Sequence, residues 1–252
     1  MKFFTLHVHL NFMKMNIIKL SVLAGLLLTT LHGNAQSADE ILQKHEKAMG
    51  GAENWDKIKT IKMIGSMSMQ GMDLDLTQTM IPGKEMRTDI SVMGMTGFTI
   101  VTTSQGWMYM PFQGQTKIDT MKPEMVQAAQ RQLDIKSNQF LDYKTNGTKA
   151  EYVGTDTVNA STCYKIKFTD KDGNESTSFF DKNTYYLLRT ENKLRSEGEE
   201  MEVAVLYDKY KKMDEGVVMP MSVTAQGAEI TFKSIELNKP IDEKVFIPTI
   251  DK

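Results

Sequence analysis

The chain has 252 residues, of which 40% are hydrophobic and 25% are charged, and its formal net charge is −2. This length suits one large domain or two small ones. The single cysteine, Cys163, excludes an internal disulfide.

The start of the chain has the three parts of a secretory signal peptide. Lys14 and Lys19 supply positive charge, an apolar run follows at residues 20–31, and the small residues Gly33 and Ala35 occupy the cleavage positions. The apolar run is too short to span a bilayer comfortably. We therefore interpret it as a cleaved signal and not as a membrane anchor.

Cleavage after Ala35 divides the chain into a leader at residues 1–35 and a single domain at residues 36–252. No cysteine near the cleavage point could carry a lipid, so we expect a periplasmic protein that is not itself lipid-anchored. The leader takes away three lysines and no acid, which leaves 27 basic and 32 acidic residues and a net charge of −5. This balance argues against nucleic acid or an anionic membrane surface as the partner.

The domain is predicted to begin with a helix. Ser37 and Glu40 form a capping box at its start, and Gly50-Gly51 is the expected stop. Apolar residues recur on one face of this helix, and His45 lies among them. We interpret His45 as a packing side chain and not as a ligand.

Residues 60–118 have the pattern of about five antiparallel strands joined by tight turns. Their apolar residues alternate, and twelve of the twenty methionines lie between positions 63 and 125. Alternate side chains share one face of a strand. Methionine suits a surface that accepts apolar ligands of variable shape, and it can equally fill an ordinary β core. The residues predicted to line an apolar cavity are Met63, Met67, Met69, Leu74, Leu76, Met86, Ile90, Trp107 and Tyr109.

Residues 120–136 break this pattern, because apolar residues now recur every four positions. This spacing predicts an amphipathic helix, and Pro123 is tolerable in its first turn. We predict that the helix is a lid over the cavity and that Met121, Met125 and Leu133 lie on it.

Strands resume after residue 150 and continue to residue 237. The predicted fold is therefore mainly β with few helices. We expect an unclosed antiparallel β-barrel of about ten strands, wrapped around an apolar cavity with a helical lid.

The sequence offers little for catalysis. The mature chain has one histidine, His45, which excludes most histidine-dependent triads and multi-histidine metal sites. Cys163 lies mid-strand, where a buried and inert thiol is expected. The segment at residues 170–175 fits a hairpin turn better than a calcium loop. We predict no catalytic residue, no metal site and no cofactor, and we do not expect an enzyme.

Two segments of the strand region have distinctive sequences. They are Thr-Met-Ile-Pro-Gly-Lys-Glu-Met-Arg-Thr-Asp-Ile at residues 79–90 and Thr-Thr-Ser-Gln-Gly-Trp-Met-Tyr-Met-Pro at residues 102–111. Both segments resemble the superfamily of the lipoprotein carriers LolA and LolB. The helical opening at residues 38–51 and the strands at residues 152–188 are also similar to outer-membrane lipoprotein-sorting proteins.

The resemblance implies an unclosed barrel around an apolar cavity, with helices as a lid, that carries lipids or lipid-modified proteins across the periplasm. One position departs from the family pattern. The carrier has an arginine just before the proline of the first segment, and here that residue is Ile81, with Arg87 six residues further on.

We therefore predict a periplasmic carrier or binding protein that moves lipids, or the acyl chains of lipoproteins, towards the outer membrane. Its expected partners are these acyl chains, together with membrane-bound donor and acceptor proteins, and its expected state is a monomer. The alternative is an envelope scaffold protein whose barrel is filled by its own side chains and which binds a protein partner.

Overall fold

The structure is a computed structural model that describes residues 37–69, 72–138, 140–141, 143–196 and 199–250. These residues belong to one compact unit that begins at Ser37. The predicted leader at residues 1–35 lies outside the described residues.

The described part of the chain contains four α-helices and three short 3₁₀ turns. The helices are α1 (Ala38–Ala48), α2 (Ala52–Trp55), α3 (Pro123–Gln130) and α4 (Ile135–Asn138), and the turns are Pro111–Gln113, Arg131–Leu133 and Glu243–Phe246.

Strands make up most of the remaining chain. They are β1 (Ile61–Met69), β2 (Met72–Ile81), β3 (Glu85–Val92), β4 (Met95–Thr102), β5 (Gly106–Tyr109), β6 (Asp119–Thr120), β7 (Lys149–Val158), β8 (Ser161–Thr169), β9 (Glu175–Asp181), β10 (Leu187–Ser196), β11 (Glu199–Asp208), β12 (Lys211–Lys212), β13 (Val218–Met219), β14 (Ser222–Ala225) and β15 (Ala228–Leu237).

Thirteen strands form one antiparallel sheet in the order β6-β5-β4-β3-β2-β1-β15-β14-β11-β10-β9-β8-β7. The chain runs outward from β1 to β6, crosses to the far edge at β7 and returns until β15 pairs with β1. The sheet is not closed, as predicted, because β6 and β7 form its two edges among the described strands. The expected number of about ten strands was too low. Three strands have only two residues each, too few to show an alternating pattern.

The helices α1 and α2 pack on the same face of the sheet, which we call the inner face. Ile41 and Leu42 of α1 pack against Phe180 of β9. Trp55 of α2 packs against Met80 of β2 in a second buried cluster. The main core therefore lies between these helices and part of the inner face.

The opposite, outer face is covered near β4 by the end of the chain. Phe246, in the last 3₁₀ turn, is buried against Phe98 and Ile100 of β4. Because this contact joins residues far apart in sequence, it gives the outer face of β4 its own apolar cluster.

The start of α1 follows its predicted cap. The Ser37 hydroxyl accepts a hydrogen bond from the backbone N–H of Glu40 at 3.1 Å, while the Glu40 carboxylate accepts from Lys44 at 2.8 Å. His45 is buried, with its Nδ1 2.8 Å from the carbonyl oxygen of Tyr185 and its ring edge-on to Phe180. This is the packing position expected for His45.

The helix expected at residues 120–136 is not continuous. It consists of α3, a 3₁₀ turn and α4, and the interruption falls at Asp134, which has φ −87° and ψ 86°. The Asp134 carboxylate accepts a hydrogen bond from the backbone N–H of Lys136 at 3.2 Å. A side chain that caps the next turn in this way competes with helix continuation.

Candidate functional site

Backbone pairing arranges the inner face of β15 and β1 to β5 in rows that run across the strands. Directly paired residues share a face, so each row can be followed from strand to strand. The first row is buried, and most of its members pack with Trp55 of α2 in the main core. It consists of Leu237, Ile61, Met80, Met86, Val101 and Gly106.

The second row lies one step further along the strands and has a polar centre. Gln78, Thr88 and Thr99 are consecutive neighbours on β2, β3 and β4, and the Gln78 Nε2 donates to the Thr88 hydroxyl at 3.3 Å. Every member of the row is partly exposed. The whole row consists of Ile235, Met63, Gln78, Thr88, Thr99 and Met108.

Beyond the second row, the inner face becomes apolar across six neighbouring strands. Leu74 and Leu76 are buried, and the other members are partly exposed. The described helices pack against other parts of the sheet. We call this surface the apolar strip, and it consists of Ile90, Val92, Leu74, Leu76, Met67, Ile230, Phe232, Val223, Val203 and Val205.

Charge is confined to the outer face in the centre of the sheet. Asp73 and Asp75 alternate with Leu74 and Leu76 along β2, so they point to the opposite side. In the described residues of β1 to β4, β14 and β15, the inner positions carry no charged side chain. The apolar strip is therefore electrically neutral.

A groove of about 630 Å³ opens at the other end of β2 and β3. Its apolar floor includes Trp55, Ile58 and Leu133, and an ion pair between Lys136 and Asp56 lies at its rim. The turn between β2 and β3 forms one wall through Pro82 and Gly83. Among the twelve residues predicted to line the cavity or the lid, Leu133 alone lines this groove.

Three solved structures share this arrangement of strands and helices. A LolA superfamily protein from Nitrosomonas europaea has 10% sequence identity, a TM-score of 0.53, and a match over 85% of this chain and 99% of that chain. A DUF1329 family protein from Desulfovibrio piger has 12% identity, a TM-score of 0.54, and coverage of 83% and 96%. An outer membrane lipoprotein-sorting protein domain from Vibrio parahaemolyticus has 14% identity, a TM-score of 0.52, and coverage of 82% and 95%.

The chain has the LolA-like fold. The predicted resemblance is therefore confirmed at the level of the fold. No protein-family model matches the chain, and no curated protein sequence matches it. At identities of 10% to 14%, the likeness concerns backbone architecture, and the site must be argued from its own residues.

In this LolA-like sheet, the predicted cavity residues fall into three groups. Met67, Leu74, Leu76 and Ile90 lie in the apolar strip, whereas Met86 is buried in the first row and Met63 borders it in the second. By backbone pairing, Met69 continues the strip between Met72 and Ala228, but its side chain lies outside the described residues. Trp107 and Tyr109 stand on the outer face and pack in the cluster that contains Phe246.

The predicted lid residues also differ in position. Met125 is 41% exposed, and its neighbour Val126 is the buried residue of α3. Val126 and Met121 lie against Gly106 of the sheet. Leu133 is buried in the main core, next to Trp55 and Met80. The segment at residues 121–136 therefore touches the sheet through Met121, Val126 and Leu133.

Six of the ten residues of the apolar strip were not predicted to line the cavity, and one of these, Val92, lies on β3. The others lie on β11, β14 and β15, whose alternation was used only to predict strands. They are Val203, Val205, Val223, Ile230 and Phe232. The signal was weaker there, because the apolar residues Ala204 and Leu206 separate the inner residues of β11, which are Val203, Val205 and Tyr207. The methionine cluster drew the prediction to the first half of the chain alone.

Arg87 does not lie near the groove or the strip. It stands on the outer face of β3, where its Nη1 donates to the carbonyl oxygen of Val245 at 2.9 Å and its Nη2 lies 2.7 Å from Asp89. Its guanidinium also covers the ring of Phe98 at 4.5 Å. Arg87 thus holds the segment around Val245 against the outer face of β3.

Other reactive groups are also placed by the structure. Cys163 is fully buried, and burial raises the pKa of its thiol to about 11, which keeps the sulfur protonated. In the residues described above, His, Cys, Asp and Glu form no group of three that could hold a metal ion. No helix in the same part of the chain combines the length and apolar character needed to cross a membrane.

Proposed function

We propose that this LolA-like protein is a periplasmic carrier or binding protein for lipids, or for the acyl chains of lipoproteins, that moves them towards the outer membrane. The observation that carries the proposal is the apolar strip, which is neutral, partly exposed and continuous over six strands. One structure with this fold is described as an outer membrane lipoprotein-sorting domain. That description supports the class of cargo proposed here.

The dimensions of the strip suit an extended hydrocarbon chain. Neighbouring strands lie about 4.8 Å apart, so six strands span about 24 Å. Burying each methylene contributes about 0.8 kcal/mol, and a dozen methylenes contribute about 10 kcal/mol before the cost of binding. Flexible side chains such as Met67 can repack around chains of different shape.

We propose that the segment at residues 121–136 acts as a lid at the groove end of the inner face, where it lies against the first row. Its polar contacts with the strands include three hydrogen bonds. The Met121 N–H donates to the Gly106 carbonyl oxygen at 2.8 Å, the Gly83 N–H donates to the Leu133 carbonyl oxygen at 2.9 Å, and the Gln130 side chain donates to the Thr102 carbonyl oxygen at 3.0 Å. Its break at Asp134 divides it into short pieces. Most residues of α3 are exposed, and an exposed element can open at a smaller free-energy cost than the core strands.

Native mass spectrometry of the mature protein, purified without detergent from an envelope-bearing host, tests the proposal. We expect adducts that disappear on organic extraction and whose extracted masses match acylated species. A bare protein mass, together with no uptake of an added fluorescent fatty acid, would overturn the carrier function. The alternative, a scaffold protein with a filled inner face, would then be tested by its stable complex with a protein partner.

A further inference from the structure

The polar centre of the second row separates two apolar regions of the inner face. On one side lie Met80 and Met86 of the buried first row, and on the other lie Leu76 and Ile90 of the apolar strip. A purely apolar face would serve a hydrocarbon ligand equally well. The position of Gln78, Thr88 and Thr99 at this boundary therefore indicates that they bind a polar group of the ligand.

The three side chains offer uncharged hydrogen-bonding groups side by side. The Thr88 hydroxyl accepts from the Gln78 amide at 3.3 Å, and a hydroxyl that accepts one bond can still donate its own proton. Thr99 places a second hydroxyl on the neighbouring strand, directly opposite Thr88. All three residues are partly exposed, so a ligand atom can reach them.

In the described residues of β1 to β4, no positively charged side chain lies on the inner face. The charged neighbours of Thr88 along β3 are Arg87 and Asp89, and both face the other side of the sheet, where they form an ion pair. The neighbours of Gln78 along β2, Thr77 and Thr79, are uncharged. A carboxylate placed at the second row would lose water without gaining a positive partner, which is costly. A carbonyl or hydroxyl placed there would gain hydrogen bonds at a small cost.

We propose that Gln78, Thr88 and Thr99 form a subsite for the uncharged polar end of an ester- or amide-linked acyl chain, and that the site prefers such ligands to free fatty acids. The hydrocarbon lies along the apolar strip, and the ester or amide carbonyl lies at the second row. The Thr88 and Thr99 hydroxyls donate to this carbonyl, and the Gln78 side-chain oxygen accepts from a ligand hydroxyl or amide. This inference rests on the carrier function proposed above.

Isothermal titration calorimetry with two probes of equal chain length tests the subsite. The probes are 1-monolauroylglycerol and laurate, at neutral pH, where laurate is ionised. We expect the intact protein to bind 1-monolauroylglycerol about tenfold more tightly than laurate, because a carboxylate is excluded from the second row. This comparison needs no variant, so it does not depend on the folding of a mutant.

Two substitutions locate the preference. Thr88→Val keeps the shape of the side chain and removes its hydroxyl, and we expect it to weaken 1-monolauroylglycerol binding about fivefold while laurate binding changes less than twofold. Gln78→Leu should act in the same direction. The matched control is Thr77→Val, which removes a hydroxyl from the outer face of β2, the strand that carries Gln78. This variant should leave both affinities unchanged.

The outcomes separate the subsite from the carrier function. Equal or tighter binding of laurate, or a Thr88→Val variant that binds both probes as the intact protein does, would overturn the subsite and leave the carrier function standing. Failure of both probes to bind, together with a bare mass in the native spectrum, would overturn the two together.

Discussion

Met67 of β1 and Leu74 of β2 are direct backbone partners, so their side chains stand next to each other on the inner face. On the other side of Met67, the same pairing continues to Ile230 of β15. Ser68, the next residue of β1, faces the opposite side and is exposed. The adjacent residues Met67 and Ser68 of β1 thus lie on opposite faces of the sheet.

Replacing Met67 with aspartate should abolish the uptake of a fluorescent fatty acid, because the substitution places an unpaired charge in the middle of the apolar strip. The position is partly exposed, so the free energy of unfolding should fall less than it would for a charge in the buried first row. Urea unfolding and fluorescence titration measure the two effects. The matched control, Ser68→Asp, adds the same charge to the outer side and should bind normally. Equal fatty-acid binding by the Met67→Asp and Ser68→Asp variants would show that the ligand does not bind at the apolar strip.

The sequence predicted the inner face well where large side chains marked it. The alternation of Met63, Met67, Leu74 and Leu76 specified one face of β1 and β2, and tight turns specified the meander. The same signal failed at β4 and β5, because two inner positions there are Gly97 and Gly106, which carry no side chain. The largest apolar side chains of β4 and β5 therefore lie on the outer face.

That outer cluster could not be derived from local patterns. Trp107 is paired with Ile100 on the outer side, and Phe246, near the end of the chain, covers the cluster. A four-residue strand has too few positions to fix which parity faces inward. The prediction for Trp107 and Tyr109 depended on this parity, which tertiary contacts decide.

Arg87→Met should lower the free energy of unfolding by about 1 to 3 kcal/mol, because the change removes the hydrogen bond to Val245, the ion pair with Asp89 and the contact with the Phe98 ring. Urea denaturation at neutral pH measures this loss. Binding of 1-monolauroylglycerol should stay unchanged, since Arg87 lies on the outer face. Lys212→Met, at an exposed position, is the control for loss of one positive charge. Weaker binding without a loss of stability would show that Arg87 acts in the site after all.

Asp181 links stability to pH through the turn between β9 and β10. Burial raises the pKa of its carboxyl. The backbone N–H groups of Thr184 and Asn183 and the Thr184 hydroxyl lower this pKa by more than burial raises it, so the pKa of Asp181 is below its ordinary value. The same turn holds Tyr185 at φ +60°, a conformation that is unusual for a residue with a side chain.

A carboxyl whose pKa is lowered by folding stabilises the protein above its unfolded pKa, and this contribution is lost as pH falls through the folded value. We therefore expect Asp181→Asn to be less stable than the intact protein by about 1 kcal/mol at neutral pH, with the difference shrinking below about pH 4. Urea unfolding at a series of pH values measures the change. Asp214→Asn, at an exposed position, controls for the loss of a negative charge. A difference that stays constant over the whole series would contradict the linkage.

Replacing Gly65 should disturb the inner face without changing its charge. It lies at a register shift between β1 and β15, and a Cβ at this position would stand 2.3 Å from the Thr231 carbonyl oxygen and 3.0 Å from the Phe232 Cα. Both neighbours are backbone atoms, so the two strands would have to separate. Gly65→Ala should therefore lower the free energy of unfolding by about 2 kcal/mol or more. The control is Ser66→Ala, one residue further along β1 on the outer face, which should change the free energy of unfolding by less than about 0.5 kcal/mol.

Because Phe232 belongs to the apolar strip, acyl binding by Gly65→Ala should also weaken under conditions where the variant remains folded. Unchanged binding and stability would contradict the close approach of β1 and β15.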